Sequence, residues 1–238
     1  MNPQRNFSAW PLLCAGLLIL NSCASIPKEK RTDSKYLFQQ ACKPGRVTPP
    51  IKEAKGSVWM KAKSTEASGQ FPAHVFAKAP GKLNLEITNL IGGTEAIIEV
   101  DGKAYSITRG DSKKIEERGY GSWGGIPLTW ATDLFLGKIP CPTQPASKLR
   151  LKAKTDELEV EALEGKKVVE RFVYQFKPIE GELWPQKLHW ERKGQEEVAV
   201  DFEFDSPEET TLSPLRWEAK STRGEVKMKW RQRDLSYQ

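Results

Sequence analysis

The chain contains 238 residues and has a formal net charge of +6, from 37 lysine and arginine residues against 31 acidic ones. This excess is spread along the sequence rather than gathered into the basic block of a nucleic-acid-binding protein, so we expect no nucleic-acid partner. The mild positive charge suits an anionic membrane surface, although a solvated exterior is sufficient to explain it.

Residues 1–22 are predicted to form a bacterial lipoprotein signal peptide. A basic Arg5 precedes an apolar run from Trp10 to Leu20, and small residues then lead to Cys23, which is the order of a secretion signal. The run is too short to span about 30 Å of hydrocarbon, which argues against a transmembrane anchor. Its Leu-x-Ser-Cys ending resembles the lipobox. We therefore predict that Cys23 is lipidated with several acyl chains such as palmitate, which together anchor firmly.

Residues 23–54 are polar and rich in lysine and proline, and they are predicted to be a lipidated N-terminus and tether with a short helix at 33–41. Cys14 leaves with the signal and Cys23 takes lipid, so Cys42 and Cys141 remain. Two remaining thiols in an oxidising compartment suggest a disulfide. The alternative is two buried thiols.

From about Lys55 apolar and polar residues alternate, as in strands with one buried face. Leu83, Leu85 and Ile87 alternate with polar neighbours, and tight-turn signals such as Asp101-Gly102 separate successive runs. We predict five strands before residue 109.

The alternation stops between residues 111 and 140, where a helix is predicted to open at Pro127 and to end at Gly137. It then resumes and predicts six or seven further strands. About eleven antiparallel strands with one apolar face are too many for a flat sheet. We therefore predict that residues 55–238 form a single, mainly β domain, an incomplete antiparallel barrel with helices covering its concave apolar face.

No catalytic site is predicted. Gly119-x-Gly121-x-x-Gly124 matches the dinucleotide-binding fingerprint, but it follows no buried strand and lies in no βαβ unit. Neither His74 nor His189 has an evident nucleophilic partner or lies at a metal-ligand spacing. We expect no enzyme activity, no cofactor and no metal.

Two segments have functional signals. Residues 88–95 join two predicted strands through the apolar pair Leu90-Ile91, whereas hairpin tips in water are normally polar. The tip therefore offers apolar surface to a membrane or a partner, unless it folds back onto the core. The second segment, residues 125–140, contains Gly-Ile-Pro-Leu and ends in Leu-Gly-Lys-Ile-Pro; taken alone, it is a capped amphipathic helix covering a sheet.

Together these segments resemble the LolB family, the outer-membrane lipoproteins that receive lipoproteins from the soluble carrier LolA. Its members have a Thr-Asn-Pro-Leu-Gly-x-Thr-Glu hairpin and a downstream Gly-x-Pro-Leu helix that ends in Leu-Gly-x-Pro; here Leu90 replaces the hairpin proline. The likeness covers about residues 55–140. It implies a half-open barrel with a helical lid over an apolar cavity, and it implies that Ile91, beside Leu90, protrudes to help cargo insert into the membrane.

We accordingly predict a monomeric lipoprotein, anchored in the outer membrane and facing the periplasm, that takes cargo acyl chains from a LolA-like carrier. The resemblance implies this location because Ala24, not aspartate, follows Cys23. An acyl chain exposed to water costs on the order of 10 kcal/mol, at about 0.8 kcal/mol per CH₂, and therefore needs shelter. The residues predicted to form the shelter come from strands and lid: Val58, Met60, Leu83, Leu85, Ile87, Ile98, Leu128, Leu134 and Phe135.

These facings depend on strand register, because a slip of one residue inverts them. Two other functions remain open. The same fold could bind another hydrophobic ligand or sense envelope stress without transferring cargo, or the chain could be a structural envelope lipoprotein. The apolar tip favours transfer, since a sensor or scaffold has no need for it.

Overall fold

The computed structural model describes residues 26–42, 50–64, 68–110, 114–123, 126–194, 197–208, 211 and 213–237. The predicted signal peptide and the predicted lipidation site at Cys23 lie outside the described residues. Within them the chain forms fifteen strands, two α-helices and two one-turn 3-10 helices.

The helices are α1 (Ser34–Cys42) and α2 (Leu128–Phe135), and the 3-10 helices are Lys30–Thr32 and Ala146–Lys148. The strands before α2 are β1 (Ile51–Ser64), β2 (Ser68–Lys78), β3 (Lys82–Thr88), β4 (Thr94–Asp101), β5 (Ala104–Arg109), β6 (Ile115–Tyr120), β7 (Ser122–Trp123) and β8 (Ile126–Pro127). The strands after it are β9 (Leu149–Lys154), β10 (Glu157–Glu164), β11 (Lys167–Ile179), β12 (Glu182–Arg192), β13 (Val198–Phe204), β14 (Arg216–Ser221) and β15 (Gly224–Tyr237).

Thirteen of these strands form one antiparallel sheet, in the order β6-β5-β4-β3-β2-β1-β15-β14-β13-β12-β11-β10-β9. Each half is a meander of neighbouring hairpins, and the halves join where the first strand pairs with the last. The sheet is open, since β6 and β9 are its two ends. The predicted fold class, an incomplete antiparallel barrel with a helical lid, is confirmed.

The strand count differs from the expected eleven because β6, β7 and β8 form within the stretch where alternation stops. The short β7–β8 pair leads directly into α2. The first strand also begins at Ile51 rather than near Lys55.

The helix α2 begins at Leu128, one residue after the predicted start, and ends at Phe135, just before the predicted stop at Gly137. Pro127 stands at its N-cap, and a Schellman motif closes it, with the N–H groups of Gly137 and Lys138 donating to the carbonyls of Leu134 and Asp133 at 3.1 and 2.8 Å. Gly137 has a φ of 73°, and a β-carbon there would lie 2.6 Å from the Ser213 β-carbon. Only glycine therefore suits this position.

Part of the interval predicted as a tether is folded against the sheet. Leu37 of α1 is fully buried, and α1 contacts β9, β10 and β12. The Arg31 guanidinium bonds both carboxylate oxygens of Asp156 at 2.7 Å, which ties the first 3-10 helix to the β9–β10 turn. We call the face of the sheet that packs against α1 and α2 the inner face, and the opposite one the outer face.

Candidate functional site

The β3–β4 hairpin ends in an apolar tip, Leu90-Ile91, that projects into solvent. Leu90 is 84% exposed and Ile91 is 94% exposed. Neither side chain folds back onto the core. Large apolar side chains gain nothing from such exposure in water, and exposed apolar patches are typical of surfaces that contact a membrane or another protein.

Asn89 holds the tip in one conformation. Its Oδ1 accepts hydrogen bonds from the backbone N–H groups of Ile91 at 3.1 Å and Gly93 at 2.8 Å, and its own N–H donates to the Gly93 carbonyl at 2.9 Å. Gly92 has a φ of 89°, in the left-handed region that favours glycine. The tip is thus pre-organised and has little conformational entropy to lose on contact.

Strand pairing brings the predicted shelter residues together on the inner face. Leu85 of β3 lies between Val75 of β2 and Ile98 of β4, and Val58 of β1 lies opposite Trp230 of β15. Of the predicted strand residues, Ile87 is half-buried and the others are buried. The full set is Val58, Met60, Leu83, Leu85, Ile87 and Ile98.

The helix α2 lies across the inner face and contacts both halves of the sheet. Its predicted lid residues Leu128, Leu134 and Phe135 are buried, and it contacts β2 and β3 on one side. On the other side the Trp130 ring centroid lies 4.8 Å from that of Trp190, in an edge-on arrangement that aromatic pairs favour. In this structure α2 therefore occupies the space in which we expected a ligand to bind.

The aromatic half of this surface was not predicted from the sequence. Strands β11 to β15 direct a row of aromatic side chains at the inner face, at every second residue: Phe172, Tyr174, Phe176, Trp190, Phe202, Phe204, Trp217 and Trp230. Their alternation is visible in the sequence, but their facing α2 depends on how the two halves of the sheet curve around it.

A disulfide between Cys42 and Cys141 joins the two helical parts of the lid, with α-carbons 5.7 Å apart. The buried Tyr174 hydroxyl on β11 lies 3.6 Å from both sulfur atoms and donates a hydrogen bond to the Pro140 carbonyl at 2.9 Å. Burial raises the pKa of Tyr174 well above its usual value, so the hydroxyl remains a neutral donor. The end of α1 and the segment that follows α2 are thereby held at one point on β11.

The outer face of β10 to β13 has charges that compensate one another. Arg171 Nε bonds Glu159 Oε1 at 3.2 Å, and this hydrogen bond lowers the pKa of Glu159. His189 bonds Asp201 at 2.6 Å and Glu191 at 2.9 Å. Partial burial lowers the pKa of His189, but its hydrogen bonds to the two carboxylates outweigh this and raise it.

The outer face of β1, β14 and β15 instead has an excess of positive charge. Its carboxylates Glu218 and Glu225 are both ion-paired, and Trp59 lies 6.0 Å from the Arg231 guanidinium. Six of the basic side chains on this face, where Trp59 is half-buried, form what we call the basic strip: Lys61, Lys63, Arg216, Lys227, Lys229 and Arg231.

The basic strip and the apolar tip lie towards the same end of the sheet. Trp59 pairs with Pro72, and the Pro72 carbonyl accepts a hydrogen bond of 3.4 Å from the Thr88 hydroxyl at the base of the tip. The basic strip and the apolar tip can therefore contact the same external surface at once.

Within the described ranges, no group of three or more His, Cys, Asp or Glu side chains is arranged so that it could hold a metal ion. None of the helices in the described part of the chain has the length and apolarity needed to cross a membrane.

No known family profile matches the chain, and no curated protein matches it in sequence. Solved structures do share its fold. A LolA superfamily protein from Nitrosomonas europaea is similar with a TM-score of 0.50 and 11% identity, over 86% of this chain and 94% of that one. A DUF1329 family protein from Desulfovibrio piger gives a TM-score of 0.49 and 9% identity, over 89% and 94%. At 11% identity, the likeness to the LolA superfamily protein shows the fold alone.

Proposed function

We propose that this chain is an outer-membrane lipoprotein, anchored through Cys23, that accepts the acyl chains of other lipoproteins from a LolA-like periplasmic carrier and inserts them into the outer membrane. The observation that supports this most is the rigid, exposed Leu90-Ile91 tip at the end of a strand that lines an apolar inner face.

Strand β3 forms an apolar track from the inner face to the tip. Leu83 and Leu85 are buried, Ile87 is half-buried, and the tip residues that follow are almost fully exposed. An acyl chain that leaves the inner face along β3 would therefore contact apolar side chains until it reaches whatever the tip has entered.

The helix α2 is suited to being lifted from the sheet by such a chain. The eight residues of α2 have no side-chain cap at the N-terminal end, and the helix is held mainly by aromatic and aliphatic packing. An acyl chain that enters between α2 and the sheet offers the apolar side chains of both the contact that they lose, so the net free energy of exchange is small. Transfer without ATP requires that each step have a small, favourable change in free energy.

The basic strip supports a membrane as the final acceptor. Anionic headgroups attract basic side chains by about 1 kcal/mol each close to the surface. With the strip near the headgroups, the tip at the same end of the sheet would face the interface.

The direct test is depletion of the protein followed by fractionation of the cell envelope. We expect lipoproteins to accumulate in the periplasm, bound to their carrier. The purified protein should also bind a fluorescent fatty acid, which a scaffold with a solid core would not. Fatty-acid binding without any change in lipoprotein distribution would instead favour a protein that binds another hydrophobic ligand.

A further inference from the structure

The inner face has buried hydrogen-bond donors that no group in the described part of the chain satisfies. The indole Nε1 atoms of Trp190, Trp217 and Trp230, and the hydroxyl of Thr132, have no hydrogen-bond partner among the described residues. All four side chains are at least nine-tenths buried. Buried polar groups of native proteins are nearly always paired, and buried indole N–H groups usually find an acceptor, so four orphans in one region need an explanation.

Three of these groups belong to tryptophans packed against α2, and the fourth, Thr132, lies on α2 itself. Trp190 packs against Trp130 of α2, and the Phe135 ring centroid lies 5.7 Å from Trp217 and 6.3 Å from Trp230. Thr132 precedes Phe135 by three residues and therefore lies on the same side of the helix. The orphan donors thus belong to the space that an acyl ligand would occupy.

Their chemistry identifies the kind of group they would bind. An indole N–H can only donate, so each needs an acceptor, and a hydrocarbon chain has none. A surface that bound alkyl chains alone would be served as well by phenylalanine. The inner face therefore has more donors than alkyl binding requires.

A neutral acceptor fits better than an anion. Among the described residues, Glu161 is the only charged residue that is buried as a whole, and the side chain of Arg233 is buried as well. Glu161 is buried but bonds Arg150 and Lys152 on the outer face, and Arg233 is bound by Glu208. A phosphate or carboxylate placed among the tryptophans would be a buried, unpaired charge, which is strongly unfavourable. An ester carbonyl supplies an acceptor without charge.

We infer that the inner face recognises the ester carbonyl oxygens of a diacylglyceryl group, with Trp190, Trp217, Trp230 and Thr132 as the donors that determine this specificity. The inference rests on the proposed function, because it places the lipid group of a cargo lipoprotein under α2. Hydrogen bonds then recognise the ester groups of the lipid, while apolar contacts hold its acyl chains.

The test compares two neutral ligands that differ only in the carbonyls: a short-chain diacylglycerol and the dialkylglycerol ether of equal chain length. Each competes with diphenylhexatriene for the purified protein. We expect the ester to bind about tenfold more tightly than the ether, the equivalent of one net hydrogen bond of about 1.4 kcal/mol.

The double variant Trp217→Phe/Trp230→Phe removes two donors and keeps two aromatic rings. We expect its ester-to-ether ratio to fall towards one, while the affinity for the ether, which reports an intact fold and site, changes less than about threefold. Thr132→Val, of similar size to the native residue, tests the hydroxyl in the same way. Trp59→Phe on the outer face is the matched control and should leave the ratio unchanged.

Equal binding of ester and ether by the native protein would overturn this inference and leave the proposed function standing. A preference for the ester that survives in both inner-face variants would also overturn it. Binding of neither ligand would refute the inference together with the proposed acyl-chain site.

Discussion

Replacing Ile91 by glutamate should separate capture of cargo from its delivery. Ile91 is 94% exposed and lies outside the inner face. Its backbone N–H is held by Asn89, and glutamate retains that N–H. Surface substitutions away from packed or strained positions usually change the free energy of unfolding by less than about 0.5 kcal/mol. We therefore expect Ile91→Glu to fold normally and to bind a fluorescent fatty acid as the native protein does.

Delivery should respond very differently. Burying an isoleucine side chain in an apolar environment contributes roughly 1.5–3 kcal/mol. The variant loses that contribution, and a loss of about 2 kcal/mol alone corresponds to roughly thirtyfold. A charge that enters the interface adds a further unfavourable term of up to a few kcal/mol. The rate of cargo insertion into vesicles should consequently fall by at least about thirtyfold.

The assay has two steps. Cargo on a LolA-like carrier is mixed with the variant, and the cargo that co-purifies with the variant measures capture. Vesicles are then added, and the cargo that sediments with them measures delivery. Tyr120→Glu is the matched control, since Tyr120 is 76% exposed and lies beside Ala104, at the end of the sheet away from the tip.

Two results would refute the reasoning. If Ile91→Glu inserts cargo at the native rate, the tip has no part in delivery. If it cannot take cargo at all, the tip belongs to the capture site. A comparable loss in Tyr120→Glu would mean that net charge, rather than the tip, sets the rate.

The remaining predictions concern the membrane surface, the lid and the outer face. Lys61→Glu/Lys229→Glu should weaken binding to vesicles that contain phosphatidylglycerol, because the basic strip loses its attraction to anionic headgroups, and added salt should reduce the difference. Cys141→Ser should lower the free energy of unfolding, measured by urea titration, by roughly 4–5 kcal/mol in the chain-entropy model, since the bond spans 99 residues. His189 has a raised pKa in the fold, so its stabilising contribution is complete below its usual pKa of about 6.5 and is lost as pH rises through the raised value. The free energy of unfolding, measured by urea titration, should therefore be lower at pH 9 than at pH 6. The variant His189→Asn should remove the part of this decrease that comes from the histidine.

Each of these predictions has a control. Lys82→Glu/Lys103→Glu makes the same charge change at the other end of the sheet and should leave vesicle binding nearly unchanged; an equal effect would show that only net charge matters. Cys42→Ser should reproduce the loss seen with the other cysteine, and a loss below about 1 kcal/mol in both would contradict the chain-entropy reasoning. If the unfolding free energy of the native protein stays flat across the pH range, the histidine has no linked effect.

Much of the fold follows from local patterns. Alternation of apolar and polar residues predicts antiparallel strands, because successive side chains of a strand point to opposite faces. Pro127 and Gly137 predict the limits of α2, since the backbone geometry each residue prefers is a property of that residue. The apolar tip at Leu90 is equally local. The alternation of apolar and polar residues is weakest in β6, because its exposed position at the edge of the sheet leaves it without a clear apolar face.

The candidate site follows less fully from local sequence patterns than the fold does. The strand residues predicted to line it lie on the inner face, as their alternation suggests. Their counterparts on β11 to β15 were visible as strands but not as a surface facing α2. The disulfide partners were suggested by elimination among the cysteines, whereas their common contact with Tyr174 required the packed lid.

The sequence by itself determined the elements: strands from period-two alternation, the helix from its stop signals, and an exposed tip from apolar residues in a turn. The tertiary structure decided which elements meet. Pairing of β1 with β15 places Lys61 beside Lys227, 166 positions away in the chain, and so turns evenly spread charges into the basic strip. The same pairing of the two halves of the sheet brings the indole donors together around α2. No local pattern encodes such pairings, because backbone hydrogen bonds between strands are the same for every partner, and only the burial of one shared apolar face selects among them.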